Sequence, residues 1–384
     1  MLPKVILIDI IPPNVSPAES LARLNELERL VDTYGGFVVV RKVQRKQVPN
    51  YRTYIGTGKV EEILQTALEL KASYIIVNNQ MKPEQLYNLE KEFTDKHRIK
   101  VWDKIDLILA IFAKHAVTRE AKLQIEMARL RHFGPRISKM GVELMRQGAG
   151  IGTRGKGETN IEIMKRHMRL REQNVKDELK KVEKNQETQR QKRHDHGFRT
   201  VAIVGYTNAG KSQLLNSLTK KEVKIKDELF ATLDSRIGKL FLQDARTSCM
   251  VSDTIGFIRD LPPQLINAFH STLSETIHAD LILHVIDMED LDIEWKIKVV
   301  HDVLHTLGCG HKKVIYVFNK VDLMQFDHRE KLGEKHKHYE PVFVSAKDKT
   351  NLDELKSKIA KHLFPLEVKK VQKENEAIAA LSSN

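Results

Sequence analysis

The sequence predicts an α/β protein in several parts, and three observations predict it. An apolar run, Val201-Ala202-Ile203-Val204, leads through Gly205-Tyr206-Thr207-Asn208-Ala209-Gly210-Lys211-Ser212 into a helical pattern at Leu214, Leu215 and Leu218. Strand and helix signals alternate through residues 1–112. Between them lies a basic stretch with helical apolar spacing, broken by glycines. The expected architecture is a small N-terminal α/β domain (1–112) and a helical hairpin (113–196) with a basic Gly-rich loop at 148–157. A P-loop domain (197–366) follows, with a mixed, mostly parallel sheet and helices on both faces, and then a C-terminal tail (367–384). At 384 residues the chain is long enough for two or three sizeable cores.

In the first part, residues 5–10 read as a strand. Ser16-Pro17-Ala18-Glu19 is a capping-box pattern with proline at the first helical position. Leu21, Leu24, Leu27 and Val31 supply the helix face, and Gly35-Gly36 its stop. Residues 37–43, 74–77 and 99–102 are further strands, and residues 55–60 open another turn and helix. Such alternation predicts a mostly parallel sheet. Gly56-Thr57-Gly58-Lys59 offers a helix start to an anion but lacks the full P-loop spacing; a tight turn before a helix is the plainer alternative.

In the middle part, Leu123, Met127 and Leu130 share one helix face. Ile161, Met164, Met168, Val175 and Val182 mark a second, longer stripe, which predicts an antiparallel hairpin. Gly148, Gly150, Gly152, Gly155 and Gly157 alternate with Arg146, Arg154 and Lys156, a link too glycine-rich to pack a core and charged enough to attract phosphate. An ordinary connector is the competing reading. Residues 186–196 read as the joint to the next domain. The net charge is +13, and residues 119–199 hold 21 Lys and Arg against 11 Asp and Glu. This concentration is the footprint of a nucleic-acid binder, set against a solvated helical face. Membrane attraction is the lesser alternative and is not expected, since few aromatics accompany the charge.

The P-loop spacing turns backbone N–H groups inward at a helix start, where an anion is favoured. Lys211 is the candidate for the β- and γ-phosphates and Ser212 for Mg²⁺. Asn319-Lys320-Val321-Asp322 ends an apolar strand pattern at residues 314–318. Asp322 can accept from the N1–H and the exocyclic amine of guanine, which adenine does not offer, so this turn selects GTP. Asn319 is expected to brace the loop and meet the base edge, and Lys320 to lay its stem along the ring. Asp253-Thr254-Ile255-Gly256 follows another apolar stretch; Asp253 is expected to hold Mg²⁺ through water, and the Gly256 N–H to approach the γ-phosphate. Within Phe230-Ala231-Thr232-Leu233-Asp234, Thr232 is the expected second protein ligand of Mg²⁺. Ser345-Ala346-Lys347 is expected to offer backbone amides to the guanine oxygen. Lys211, Thr232 and Gly256 are the candidate catalytic groups. Phe257 follows Gly256 where many GTPases use glutamine to orient water, so slow intrinsic hydrolysis is expected. Asn208 is a candidate to help hold K⁺ beside the phosphates, or simply shapes the turn.

Cys249 and Cys309 form no metal or disulfide pattern, no apolar run approaches a membrane span, and the N-terminal stretch lacks a secretory cleavage pattern. Cytoplasm and a monomer are the expectations.

Together with Gly56-Thr57-Gly58-Lys59-Val60-Glu61-Glu62, Lys122-Leu123-Gln124-Ile125-Glu126 and residues 150–159, the nucleotide motifs resemble the HflX family of translational GTPases over about residues 5–365. The resemblance implies a GTPase that binds the large (50S) ribosomal subunit and its rRNA, splits or rescues ribosomes, and needs GTP for tight binding and hydrolysis for release. An assembly or hibernation factor without splitting activity is the alternative. The chain departs from the family pattern at Lys156, Asn160-Ile161 and Gln213.

Overall fold

Residues 2–147, 160–219, 229–230, 236–259, 262, 265, 270–290, 292–324 and 326–382 are described by a computed structural model. The expected Gly-rich loop at 148–157 and the segment Ala231-Thr232-Leu233-Asp234 lie outside the described residues. The chain divides into two compact units, Met1–Val182 with Pro262–Ala268, and Glu183–Leu261 with Phe269–Asn384.

The first unit opens with β1 (Lys4–Ile11), buried at every position after the first. A strand covered on both faces reads as a continuous apolar run, and Val5 to Leu7 with Ile8, Ile10 and Ile11 is such a run. Its one charge, Asp9, is fully buried and held by Arg23, with Nε–Oδ2 at 2.8 Å and Nη2–Oδ1 at 3.1 Å. The other strands are β2 (Phe37–Arg45), β3 (Tyr74–Val77) and β4 (Lys100–Asp103), all parallel in the order β2-β1-β3-β4. Helices α1 (Pro17–Tyr34), α2 (Thr57–Leu70) and α3 (Pro83–His97) connect them. Ser16 caps α1 by accepting from the Glu19 N–H at 3.1 Å. Ile6, Ile8 and Ile10 form one core with Ile63, Leu86, Leu89 and Phe93.

Helix α4 (Lys104–His115) starts directly from β4, through a reciprocal capping box between Asp103 and Asp106. Helix α5 (Arg119–Gln147) brings His132 and Arg136 to the same two carboxylates. His132 Nε2 lies 3.0 Å from Asp106 and 3.4 Å from Asp103, and Arg136 Nη2 lies 2.7 Å from Asp106. Two aspartates and a histidine are metal-ligand types. Here Arg136 Nη2 also sits 3.0 Å from His132 Nε2, so the guanidinium supplies the local cation. Burial would lower the His132 pKa, but its hydrogen bonds to Asp103 and Asp106 overcome this and raise it to about 9. The cluster is therefore a charge-balanced set of two carboxylates, a guanidinium and an imidazolium.

Helix α6 (Asn160–Asp195) packs Val175 against Leu123 and Met127 of α5, with Leu130 and Leu179 beside them. The ion pairs Arg119–Glu178, Arg131–Glu172 and Arg171–Glu126 join the two helices in antiparallel register. The apolar stripe is shorter than the spacing predicts: Met164 is 47% exposed, and Leu179, absent from the predicted stripe, helps close the seam.

The second unit holds a six-stranded sheet in the order β10-β9-β8-β5-β7-β6. The strands are β5 (Thr200–Gly205), β6 (Arg236–Leu242), β7 (Thr247–Asp253), β8 (Leu281–Asp287), β9 (Val314–Asn319) and β10 (Val342–Phe343). Only β6–β7 pairs antiparallel. The helices are α7 (Lys211–Leu218), α8 (His270–His278), α9 (Ile293–Thr306), α10 (Phe326–Lys335), α11 (Leu352–Leu363) and α12 (Pro365–Ser382). After β5 the chain builds one side of the sheet and then crosses to β8 on the other, so the carboxyl end of β5 lies at a topological switch point. The segment read as a tail belongs to α12, whose Val368 joins the core of Leu355, Ile359 and Phe364. No described helix is long and apolar enough to cross a membrane.

Candidate nucleotide-binding site

Strand β5 delivers Gly205 to the switch point, and the turn through Asn208 and Gly210 reverses the chain into α7. Asn208 has φ +63° and Gly210 φ +90°, both left-handed. A Cβ on Gly210 would also lie 2.2 Å from Asn319 Nδ2, so only glycine fits. Lys211 at the head of α7 is buried and donates from Nζ to the Tyr206 carbonyl at 2.8 Å. Burial lowers its pKa to about 8, against the opposing pull of Asp253. Ser212 Oγ donates to Asp253 Oδ2 at 2.6 Å. A hydroxyl and a carboxylate of this kind, side by side and beside a phosphate-binding turn, are the hard oxygen donors that suit Mg²⁺.

Beyond Asp253 the chain is stitched to the phosphate loop. Thr254 Oγ1 donates to the Ile203 carbonyl at 2.7 Å, and Ile255 is buried. The Phe257 N–H donates to the Gly205 carbonyl at 3.1 Å, and the Thr207 N–H to the Phe257 carbonyl at 2.8 Å. A Cβ on Gly256 would fall 2.8 Å from Lys211 Nζ and from Thr207 Cγ2. The backbone there passes as close to the lysine as a glycine permits. Phe257 is fully buried, so its ring faces no solvent from which to orient a water. Phe230 is buried with φ +59°.

The base-side loops meet through Asn319, at the end of β9. Its Nδ2 donates to the Ala209 carbonyl at 2.9 Å, and its Oδ1 accepts from the Ala346 N–H at 3.0 Å. One amide thus ties the phosphate loop to the Ser345-Ala346-Lys347 loop. Asn319, 2% exposed, braces both loops through one amide N–H and the amide oxygen, and its amide carries a second N–H beyond these bonds. The Ala346 N–H faces Asn319, and the Ser345 N–H donates to the Thr350 carbonyl at 3.3 Å. Among the described backbone bonds, the Lys347 N–H is the one of the three left to a base oxygen. Lys320 donates to Asp287 Oδ2 at 2.6 Å, which holds its stem over the loop. Val321 is anchored by its N–H to the Val344 carbonyl, while Asp322 sits exposed in the Val321–Leu323 turn. The described residues of the 205–212, 253–256, 319–322 and 345–347 motifs gather at the carboxyl edge of the sheet; Ala231, Thr232, Leu233 and Asp234 lie outside the described residues.

Comparison with known proteins places this geometry. Residues 21–113 match a family profile described as GTP-binding GTPase N-terminal, and residues 115–193 one described as GTP-binding GTPase Middle Region. Residues 200–320 match one described as 50S ribosome-binding GTPase. The chain is 42% identical over 354 residues to GTPase HflX of Caldanaerobacter subterraneus subsp. tengcongensis, covering 91% of this chain and 79% of that one.

The chain belongs to the HflX family of GTPases.

It is 38% identical over 302 residues to GTPase HflX of Escherichia coli, covering 79% of this chain and 70% of the relative. Among solved structures it resembles SsGBP in complex with GDP, with 27% identity, a TM-score of 0.53, and coverage of 95% and 100%. As an HflX GTPase the chain binds and hydrolyses GTP. Two contributors to its site escaped the motifs. Asp287, the Lys320 partner, closes the apolar run of β8, and a carboxylate at a strand's carboxyl end was the available signal. His284, beside Val204 in the sheet, is buried; burial first, then His301 and Lys211, lower its pKa to about 3 and keep it neutral.

Proposed function

We propose that this HflX GTPase binds the large ribosomal subunit and its rRNA in the GTP form and dissociates or rescues ribosomes, with hydrolysis releasing it. The observation that carries the nucleotide side is the Asn319 amide, which locks the phosphate loop and the base loop into one site. The matched description, 50S ribosome-binding GTPase, and the basic residues 119–199 support the partner.

In this reading residues 205–212 wrap the phosphates with backbone N–H groups. Lys211 leaves the Tyr206 carbonyl for the β- and γ-phosphates, and an ion pair replaces a contact between a cation and a neutral carbonyl. The Gly256 N–H meets the γ-phosphate, and Asp322, with Lys320 and the Lys347 amide, selects guanine. Ser212 and Thr232, with Asp253 through water, would hold Mg²⁺, which would neutralise developing negative charge on the phosphates. K⁺ near Asn208 is a further candidate, tested by comparing turnover in potassium and sodium buffers. Phe257 offers no water-orienting group, so hydrolysis is slow until the ribosome supplies the missing help, a kind of assistance worth about 10³–10⁵ in rate. Such a factor works in the cytoplasm as a monomer.

Sedimentation of 70S ribosomes with the full chain and a non-hydrolysable GTP analogue tests the reading. Conversion to subunits with the protein on the large one is the expected result. Intact 70S particles, with the protein on immature large subunits, would establish an assembly factor instead, and no ribosome association under any nucleotide would end the proposal.

A further inference from the structure

Three residues past Gly256 stands Arg259, a charged side chain only 6% exposed. Its guanidinium carbon lies 3.7 Å from the centroid of the Trp295 ring, and Asp292 Oδ2 is 3.7 Å from Nη2. Trp295 projects from the first turn of α9. Its ring meets that of Tyr206 edge-on, with centroids 6.2 Å apart. Lys296, next in the helix, places Nζ 4.6 Å from the Tyr206 ring and pairs with Asp290. The Tyr206 carbonyl is the acceptor that holds Lys211 Nζ. A buried cation stacked on an indole is a strong, directional contact. This one joins the segment after Gly256 to α9, and α9 in turn to the residue that holds the phosphate-loop lysine.

We propose that Arg259 is a positioning residue for GTP hydrolysis: its stack on Trp295 fixes the path of the segment that carries Gly256 and Phe257. The inference rests on the reading of Gly256 as the γ-phosphate contact. Phe257 provides no side-chain function to the attacking water, so the backbone of this segment carries the alignment, and alignment is sensitive to small displacements. Arg259 touches neither substrate nor metal in this scheme. It acts through Trp295 and the course of the chain.

The test uses full-length protein with Arg259→Ala, Arg259→Lys and Gly256→Ala, and reads kcat, KM for GTP, GDP affinity and indole fluorescence. The chain has two tryptophans, so Trp102→Phe isolates the Trp295 signal. Arg259→Ala is expected to lower kcat at least about tenfold while KM and GDP affinity stay within about twofold. Arg259→Lys, which keeps a cation over the indole, is expected to recover most of the rate. Trp295 emission should differ between GDP and a non-hydrolysable GTP analogue, and Arg259→Ala should abolish that difference. A normal kcat in Arg259→Ala overturns the proposal. So does a loss in which KM and GDP affinity deteriorate with kcat and lysine gives no rescue, which would mark a purely structural contact. Normal hydrolysis by Gly256→Ala would remove the underlying reading as well; an inactive Gly256→Ala beside a normal Arg259→Ala would remove this proposal alone.

Discussion

Lys211 is the residue where function and stability oppose each other most directly. It is buried and bonded to a carbonyl, and burial lowers its pKa to about 8 from 10.5. Between those values the unfolded chain binds the extra proton, so stability rises with pH across the window and the cost is complete below pH 8. The shift corresponds to roughly 3 kcal/mol at neutral pH. Lys211→Met keeps the stem and removes the charge. Its unfolding midpoint without nucleotide should therefore rise, while GTP affinity falls roughly 100-fold through loss of a charge-assisted contact. Thermal melts and calorimetry with GTP check the two halves separately. His284 acts in the same sense at lower pH. Its folded pKa of about 3 lies below the unfolded value of 6.5, so the neutral ring is stable at pH 7 and stability drains as pH falls from 6.5 toward 3. Acid titration of His284→Leu should show a shallower decline over that window; an unchanged limb would contradict it. His284 belongs to no motif, but the candidate residues of the phosphate and guanine loops were legible because that chemistry prescribes residue types at fixed spacings. Their pairings were not. Asn319 and Ala209 are 110 positions apart, and nothing local in either segment says that one amide will satisfy both loops.

At the scale of elements, the strands and the first two helices of the N-terminal unit followed the local signals closely, because apolar runs, the Ser16 cap and glycine stops all act within a few residues, whereas α3 and α4 were not read from the sequence. What local signals omit is the tie between elements, and the cluster joining α4 and α5 is the clearest case. His132 has a folded pKa of about 9 against 6.5 unfolded, so its contribution is complete below pH 6.5 and is lost as pH rises through 9. The shift corresponds to roughly 3 kcal/mol. His132→Gln should lower the melting transition of the N-terminal unit by that order at pH 6. The gap from the parent protein should narrow toward pH 9, and a gap independent of pH would show that the imidazolium is not the stabilising species. Helix α12 was obscure for a related reason. Its mixture of Lys, Glu, Ala and Ser has no strong stripe, and among its described side chains Val368 joins the core while Glu374 pairs with Arg246.

For the whole molecule, the division of labour follows charge. The first unit carries α5 and most of α6, and the second carries the nucleotide loops. The unit boundary falls inside α6, a few residues before the joint expected at 186–196: Arg190 and Arg193 reach Ser274 and Glu275, so the last turns of the helix belong to the second unit. Three cations of the first unit, Arg119, Arg131 and Arg171, are committed to glutamates across the α5–α6 seam and are poor candidates for phosphate. Arg169 is exposed and, with Lys165 one turn earlier, lines an open groove of about 420 Å³ that also holds the Arg131–Glu172 pair. If this surface meets rRNA, binding to the large subunit should weaken steeply with salt, since each phosphate contact releases counterions. Lys165→Glu with Arg169→Glu should reduce large-subunit affinity by about tenfold or more and flatten the logarithmic salt slope by about 1–2. GTP hydrolysis without ribosomes should be unaffected, because both residues belong to the other unit. Sedimentation across a salt series measures the slope, and the same slope in the parent and the double variant would locate the RNA contact elsewhere in the chain.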